Sequence, residues 1–217
     1  MQRLEMTRNP DQNHCFDGFV LVGGASSRMG RDKAQMSVGG AKLFERGANA
    51  LSAICEQRVA LIGRAGSEFD CALPLLCDIR TEGEVRAPII GLYTALTYAA
   101  TPWIAILACD LPFVTPDLMG RLGRLCTNEF DAVVPVQPDT RPQPLCAFYR
   151  REKCFPVVET MIRQGDLKMQ TLLSHIRTRF VQFDEISDLD GSADFFLNVN
   201  HSDDYKTAQK KANEASS

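Results

Sequence analysis

Apolar and polar positions alternate along this chain in two distinct periods. Residues 19–22, Phe-Val-Leu-Val, form a short apolar run that ends abruptly in Gly23-Gly24. A continuous apolar run bounded by glycine predicts a buried strand followed by a sharp turn. Over 41–54 the apolar residues Leu43, Phe44, Gly47, Ala50, Leu51 and Ile54 recur at helical spacing. Residues 58–63 and 73–77 predict two further strands, the second ending at Asp78. A polar stretch over 79–87 leads into a helix opened by Pro88 and Gly91 and stopped by Pro102. Residues 103–109 are almost wholly apolar, which predicts a central strand running into Asp110-Leu111-Pro112. A helix then starts at Pro116, with Thr115 as its cap.

The second half repeats the alternation with shorter elements. Strands are expected over 131–136 and 145–149, separated by a loop, 137–144, that holds three prolines. Helices are expected over 152–163 and 169–175, Pro156 weakening the first or marking its start. Short strands are expected over 179–183 and 195–199, and a last helix over 203–212 with Ser202 as its cap. Strands alternating with helices argue for one α/β domain, a mainly parallel Rossmann-like sheet flanked by helices on both faces. Its expected limits are 18–213, with a flexible N-terminal extension over 1–17 and a short tail over 214–217.

Composition narrows the function without choosing it. A length of 217 residues suits one domain with a substantial core. A net charge of −3 argues against a nucleic-acid partner, since such surfaces are normally basic. No apolar run reaches the length of a membrane span, so no membrane partner is expected, and residues 1–17 lack the apolar core of a secretory signal. The eight cysteines include no Cys-x-x-Cys pair, and the three histidines fall outside zinc-type spacing. They read as buried reduced thiols behaving as small hydrophobes.

Chemistry concentrates where strands end. After Gly23-Gly24 come Ser26, Ser27, Arg28, Gly30, Arg31 and Lys33, a turn in which backbone N–H groups and cations can surround an anion. It is not a P-loop, because five residues separate Gly24 from Gly30 and Arg31-Asp32-Lys33 follows. It is not a Rossmann fingerprint either, because the first glycines are adjacent. Asp78 and Asp110 each follow a strand of the same expected sheet, so both belong on the rim where α/β sheets bind ligands. A carboxylate there suits magnesium, a hard cation held by few carboxylates together with substrate phosphates. Lys33 and Arg28 are assigned to a triphosphate, Gly23 and Gly24 to close backbone approach, and Asp110 to the metal.

The string Leu21-Val22-Gly23-Gly24 with Arg28-Met29-Gly30-Arg31-Asp32-Lys33 resembles the signature of the molybdenum cofactor guanylyltransferases. So does Cys109-Asp110-Leu111-Pro112. The resemblance spans about 18–206 and implies a nucleotide-diphospho-sugar transferase-like fold. It implies that GTP and Mg2+ are used to add GMP to the phosphate of molybdenum-bound molybdopterin, with pyrophosphate released. Leu21, Val22, Gly23, Lys33 and Asp78 match its nucleotide-facing positions and Asp110 its metal motif; from their place in the loop, Gly24 joins Asp110 in the nucleotide-binding set and Arg28 joins Asp110 and Lys33 in the expected catalytic set. Asn198 and Asn200, in Phe196-Leu197-Asn198-Val199-Asn200, match positions on the acceptor side, as does Gln143 more weakly. It further implies a cytoplasmic enzyme, working beside a molybdenum-insertion protein that delivers the cofactor and a GTP-binding accessory protein.

Departures from the family pattern are Val22 for Ala, Ile62 where Asn is frequent near the guanine end, and His201-Ser202 for Thr-Pro. The Ile62 difference bears on base selectivity. A cytidylyltransferase of the same cofactor, a sugar-1-phosphate nucleotidylyltransferase and a non-catalytic nucleotide-binding module are the competing readings.

Overall fold

The computed structural model describes residues 15–23, 33–55, 58–79 and 87–214. Its main sheet has seven strands: β1 (Phe16–Leu21), β4 (Val59–Gly63), β5 (Leu75–Cys77), β6 (Trp103–Ala108), β7 (Ala132–Pro135), β8 (Cys146–Arg150) and β9 (Thr178–Val181). They lie in the order β5-β4-β1-β6-β8-β7-β9. Only β8 runs against its neighbours, β6 and β7; the other pairings are parallel. Two six-residue strands buried along their whole length, β1 and β6, pair with each other at the centre, Phe16 opposite Trp103 through Leu21 opposite Ala108.

Alternation along these strands sorts the core into two layers. Phe16, Val20, Trp103, Ala105 and Leu107 face a layer that includes α1 (Leu43–Ser52), α3 (Pro116–Gly123) and α6 (Ser202–Glu214). Phe19, Leu21, Ile104 and Ile106 face α2 (Pro88–Tyr98), α4 (Arg151–Arg163) and α5 (Met169–His175). Burial on both faces explains why β6 and the second half of β1, residues 19–21, read as unbroken apolar runs. Five cysteines, Cys55, Cys109, Cys126, Cys146 and Cys154, lie in these layers, and burial pushes the thiols of Cys55, Cys146 and Cys154 up to about 12. Cys77 is exposed at the end of β5. Among the described residues no helix is long and apolar enough to cross a membrane.

Several boundaries differ from the sequence expectation. The main strand begins at Phe16, so the sheet takes in two residues assigned to the extension over 1–17; residues 1–14 and 215–217 lie outside the described residues. Asp17 is buried there because its carboxylate accepts the N–H groups of Ala100 (2.6 Å) and Thr101 (3.0 Å), fastening β1 to the turn before β6. The helix expected from 41 begins at Leu43, because a hairpin precedes it: β2 (Ser37–Val38) pairs antiparallel with β3 (Ala41–Lys42). Its two-residue turn has φ of 59° at Gly39 and 83° at Gly40. Both values lie in the left-handed region that this tight hairpin turn requires and glycine allows.

Pro156 sits inside α4 and not at its start. The expected strand over 195–199 is absent. Residues 195–200 cross the carboxyl ends of the strands as irregular chain, anchored by the buried side chains of Phe195 and Val199 and by the bond from Val199 N to Asp110 O (3.0 Å). The last helix begins at Ser202, which is therefore inside it. Asp204, in the first turn, reaches back instead, its carboxylate accepting the N–H groups of Asn200 (2.9 Å) and His201 (2.8 Å) just ahead of the helix. Thr115 does cap α3, accepting from Leu118 N at 3.3 Å.

Candidate active site

The rim is built from the carboxyl ends of β5, β4, β1 and β6. Beyond β1, Val22 N donates to Ile62 O (2.8 Å), and Cys109 N donates to Leu21 O (3.1 Å), so Leu21, Val22 and Gly23 lie between β4 and β6. Beyond β4 and β5, Asp78 N donates to Gly63 O (2.8 Å). A Cβ placed on Gly23 would stand 3.3 Å from Asp78 Oδ2 and 3.5 Å from Gly63 Cα. Glycine thus lets the Asp78 carboxylate rest against the chain where β1 ends. Burial pushes the Asp78 carboxyl above the usual range, and the charge of Arg64 partly opposes this. Thr94, fully buried on α2, accepts the N–H of Ile79 (3.0 Å) while donating to Ile90 O (2.9 Å). It fastens the turn that carries Asp78 to the helix.

Asp110 lies one residue past Cys109, with 26% of its side chain exposed. Lys33 Nζ donates to Asp110 Oδ2 at 3.1 Å and to Asn200 Oδ1 at 2.9 Å, and only 12% of the lysine side chain is exposed. Asn198, its amide nitrogen facing the carboxylate, donates to Asp110 Oδ1 (3.0 Å) and Oδ2 (3.1 Å). Lys33, Asp110, Asn198 and Asn200 therefore form one hydrogen-bonded group drawn from three distant parts of the chain. Gln143 is elsewhere on the same edge. It is buried beyond β7, with its N–H donating to Pro135 O (2.9 Å) and its carbonyl accepting from Cys146 N (3.1 Å), apart from the hydrogen bonds that join the four. Tyr149, completely buried on β8, holds that loop by donating to Pro144 O (2.8 Å). Gly24 and Arg28 lie outside the described residues. Ile62 is buried among the residues facing α2, so that position adds core and not an exposed polar group.

Two residues that sequence reasoning missed hold this arrangement together. Arg46 on α1 donates from Nε to Val38 O (2.9 Å) and from Nη1 to Pro112 O (3.3 Å), and its guanidinium lies 5.7 Å from the centre of the Phe113 ring. It ties the hairpin after Lys33 to the loop after Asp110; burial lowers its pKa. In the sequence it is one more charge on the polar face of a helix. Asp204 fixes the backbone of Asn200, and those two N–H bonds, ahead of the charges of His201 and Lys33, hold its carboxyl below the usual range. The pair Asp203-Asp204 was legible as helix-start acid, but nothing in the spacing shows which of them turns back to Asn200.

A lone rim carboxylate beside a lysine and two amides cannot form an all-protein metal cage. Among the described residues no group of three or more His, Cys, Asp or Glu could hold a metal ion. Such a donor set fits magnesium, which keeps waters and takes most other ligands from phosphates. Two surface hollows, of about 220 Å3 against α5 beside Phe180 and about 320 Å3 against α4 beside His175, are lined by none of these residues.

Comparison with known proteins adds the family. The model of the MobA-like NTP transferase domain matches residues 18–180. A probable molybdenum cofactor guanylyltransferase of Bacillus cereus is 30% identical over 201 residues, covering 90% of this chain and 96% of that protein. One of Bacillus anthracis is 31% identical with the same coverage. Among solved structures, molybdopterin-guanine dinucleotide biosynthesis protein A from Archaeoglobus fulgidus superposes with a TM-score of 0.73 at 24% identity, over 91% of this chain and 98% of that one. The 2-C-methyl-D-erythritol 4-phosphate cytidylyltransferase of Thermus thermophilus shares the fold at a TM-score of 0.64 and 16% identity, over 90% of this chain and 98% of that one.

Proposed function

The chain belongs to the MobA-like NTP transferase family and is a nucleotidyltransferase, and from that premise we propose that it transfers GMP from GTP to the terminal phosphate of molybdenum-bound molybdopterin. A phosphate oxygen of the acceptor attacks the α-phosphorus of GTP. The new O–P bond forms as the bond between the α-phosphorus and its bridging oxygen to the β-phosphate breaks, and pyrophosphate leaves with the electron pair. The nucleophile is already anionic at neutral pH, so no side chain has to remove a proton.

Repulsion between two anions is the main obstacle: two unit charges about 4 Å apart cost about 4 kcal/mol at an effective dielectric of about 20. Lys33 and Arg28 offset it along the triphosphate, and Gly23 and Gly24 let backbone N–H groups approach the phosphates. Asp110 would hold Mg2+, and the ion would supply positive charge to offset that moving onto the leaving pyrophosphate. Asn198 orients the Asp110 carboxylate. Asp78, with Leu21 and Val22, faces the nucleoside, and Asn198, Asn200 and Gln143 face the pterin phosphate. In this reading the reaction is cytoplasmic, receives its acceptor from a molybdenum-insertion protein and works with a GTP-binding accessory protein.

The observation that supports it is the meeting of Lys33 and Asp110, 77 residues apart in sequence and 3.1 Å apart at the rim beside Gly23. The test is pyrophosphate release with GTP, CTP or ATP in the presence of magnesium and molybdopterin. Release with GTP alone is expected. Preference for CTP would make the chain a cytidylyltransferase, and nucleotide binding without turnover would overturn the reading.

A further inference from the structure

The last helix reaches Lys33 from two sides. At the tip of the side chain, Asp204 holds the backbone N–H of Asn200 at 2.9 Å, and Asn200 Oδ1 accepts from Lys33 Nζ at 2.9 Å. At the backbone, Met36 N donates to Lys33 O (3.0 Å), and the hairpin that follows is gripped by α6. Tyr205 Oη donates to Ser37 O (2.8 Å), and Gln209 Nε2 donates to the same oxygen and to Tyr205 Oη (2.8 Å). Gly39 N donates to Gln209 Oε1 (3.3 Å), and a Cβ on Gly39 would come within 2.8 Å of Ala212 Cβ. The underside of the helix is seated by Ala208 and Ala212, both buried. All of these α6 residues lie beyond residues 18–180, the stretch that the family model matches.

A lysine ammonium is a point charge on a flexible four-carbon stem, so its value to a phosphate depends on how much freedom has already been removed. We propose that α6 is a clamp that positions the Lys33 ammonium, with Asp204 and Gln209 as its positioning residues. The inference rests on the nucleotide reading of Lys33 for its purpose but not for its geometry. Loss of the clamp leaves the charge of Lys33 and its bond to Asp110 intact and removes the support that reaches it through Asn200 and the hairpin.

The test is acylation of the full-length protein by an amine-reactive ester, with labelling at Lys33 followed by mass spectrometry relative to exposed Lys168. In Asp204→Ala, Lys33 is expected to label about fivefold faster, the factor that corresponds to loss of one typical hydrogen bond. Gln209→Ala should give a smaller rise and the double variant the largest. Asp204→Asn, which keeps an acceptor oxygen, should fall between Asp204→Ala and the unaltered chain. Asp203→Asn, whose side chain pairs with Lys206 on the surface, should leave Lys33 labelling unchanged. Thermal melts identify any variant that fails to fold, in which case Gln209→Ala is read alone. Unchanged Lys33 labelling in folded Asp204→Ala or Gln209→Ala would overturn the clamp. Faster labelling with an unaltered KM for GTP would overturn its service to the nucleotide. A chain inactive with every nucleotide would overturn the proposed function while leaving the labelling result to decide the geometry.

Discussion

Asp131 and Asp110 each carry a carboxylate beside a strand end, Asp131 before β7 at the amino edge of the sheet and Asp110 beyond β6 at the carboxyl edge. Arg177 meets Asp131 with three donors: its own N–H (3.0 Å), Nε (3.1 Å) and Nη2 (2.8 Å). Those bonds hold the Asp131 carboxyl below the usual range, the guanidinium contributing most. Asp110 instead faces a neutral amide, Asn198, and one lysine that it shares with Asn200. The difference teaches what each edge is for. A planar guanidinium with a backbone N–H saturates a carboxylate and stiffens the chain. An amide and a mobile point charge orient one while leaving its charge available to a cation.

The comparison is broken most sharply by Asp110→Ala. Turnover is expected to fall by about 10²–10³, the range for loss of one preorganised charge-stabilising group, with the melting temperature scarcely altered; pyrophosphate release and a thermal melt check both. Lys33→Ala should raise the KM for GTP by about 10-fold to 100-fold, the range for a charged hydrogen bond, as read from initial rates. At the other edge the pattern inverts. Asp131→Ala should leave the KM for GTP unchanged and cost about 1–3 kcal/mol of stability, because the Arg177 N–H loses its acceptor; urea unfolding measures it.

The pH dependence of that loss follows from its sign. A carboxyl whose folded pKa is depressed stabilises the fold above its unfolded value, about 3.9, and loses that contribution as the pH falls through the folded one. The gap between the unaltered chain and Asp131→Asn should therefore be full at neutral pH and close in acid. The smallest effect is expected at Asp78, where burial raises the carboxyl. A raised carboxyl disfavours the folded state once ionised, so Asp78→Asn should melt no lower than the unaltered chain at neutral pH while binding GTP more weakly. A clear drop in its melting temperature would place Asp78 with Asp131 and not with the rim.

Much of the fold was legible because the central strands are buried on both faces, so that β6 and the second half of β1 carry continuous apolar runs. Thr115-Pro116 announced α3 in the same way, by its own local chemistry. The hairpin before α1 was hidden because its strands are two residues each, too short for any periodicity; only Gly39-Gly40 marks it. The 195–199 segment carries strand-like residues, but Phe195 and Val199 serve as anchors for chain crossing the rim, and tertiary contacts overrode the local pattern. At the candidate site, Lys33 was nameable from the loop motif and Asp110 from its place after a strand, while Asn198 and Asn200 were nameable only from the family resemblance. Their bonds to one another, and the supporting roles of Arg46, Thr94 and Asp204, depend on contacts across the fold that no spacing encodes.

The account stands on the rim beside Gly23 holding a metal-bound triphosphate between Asp110 and Lys33. Crystals grown with GTP and Mn2+ test it most directly, because the anomalous signal locates the metal independently of the rest of the map. The expected result is a metal ligated by the Asp110 carboxylate and by triphosphate oxygens, with Lys33 Nζ moved onto a phosphate. A metal and triphosphate bound away from Asp110, with the Lys33–Asp110 contact intact, would contradict it.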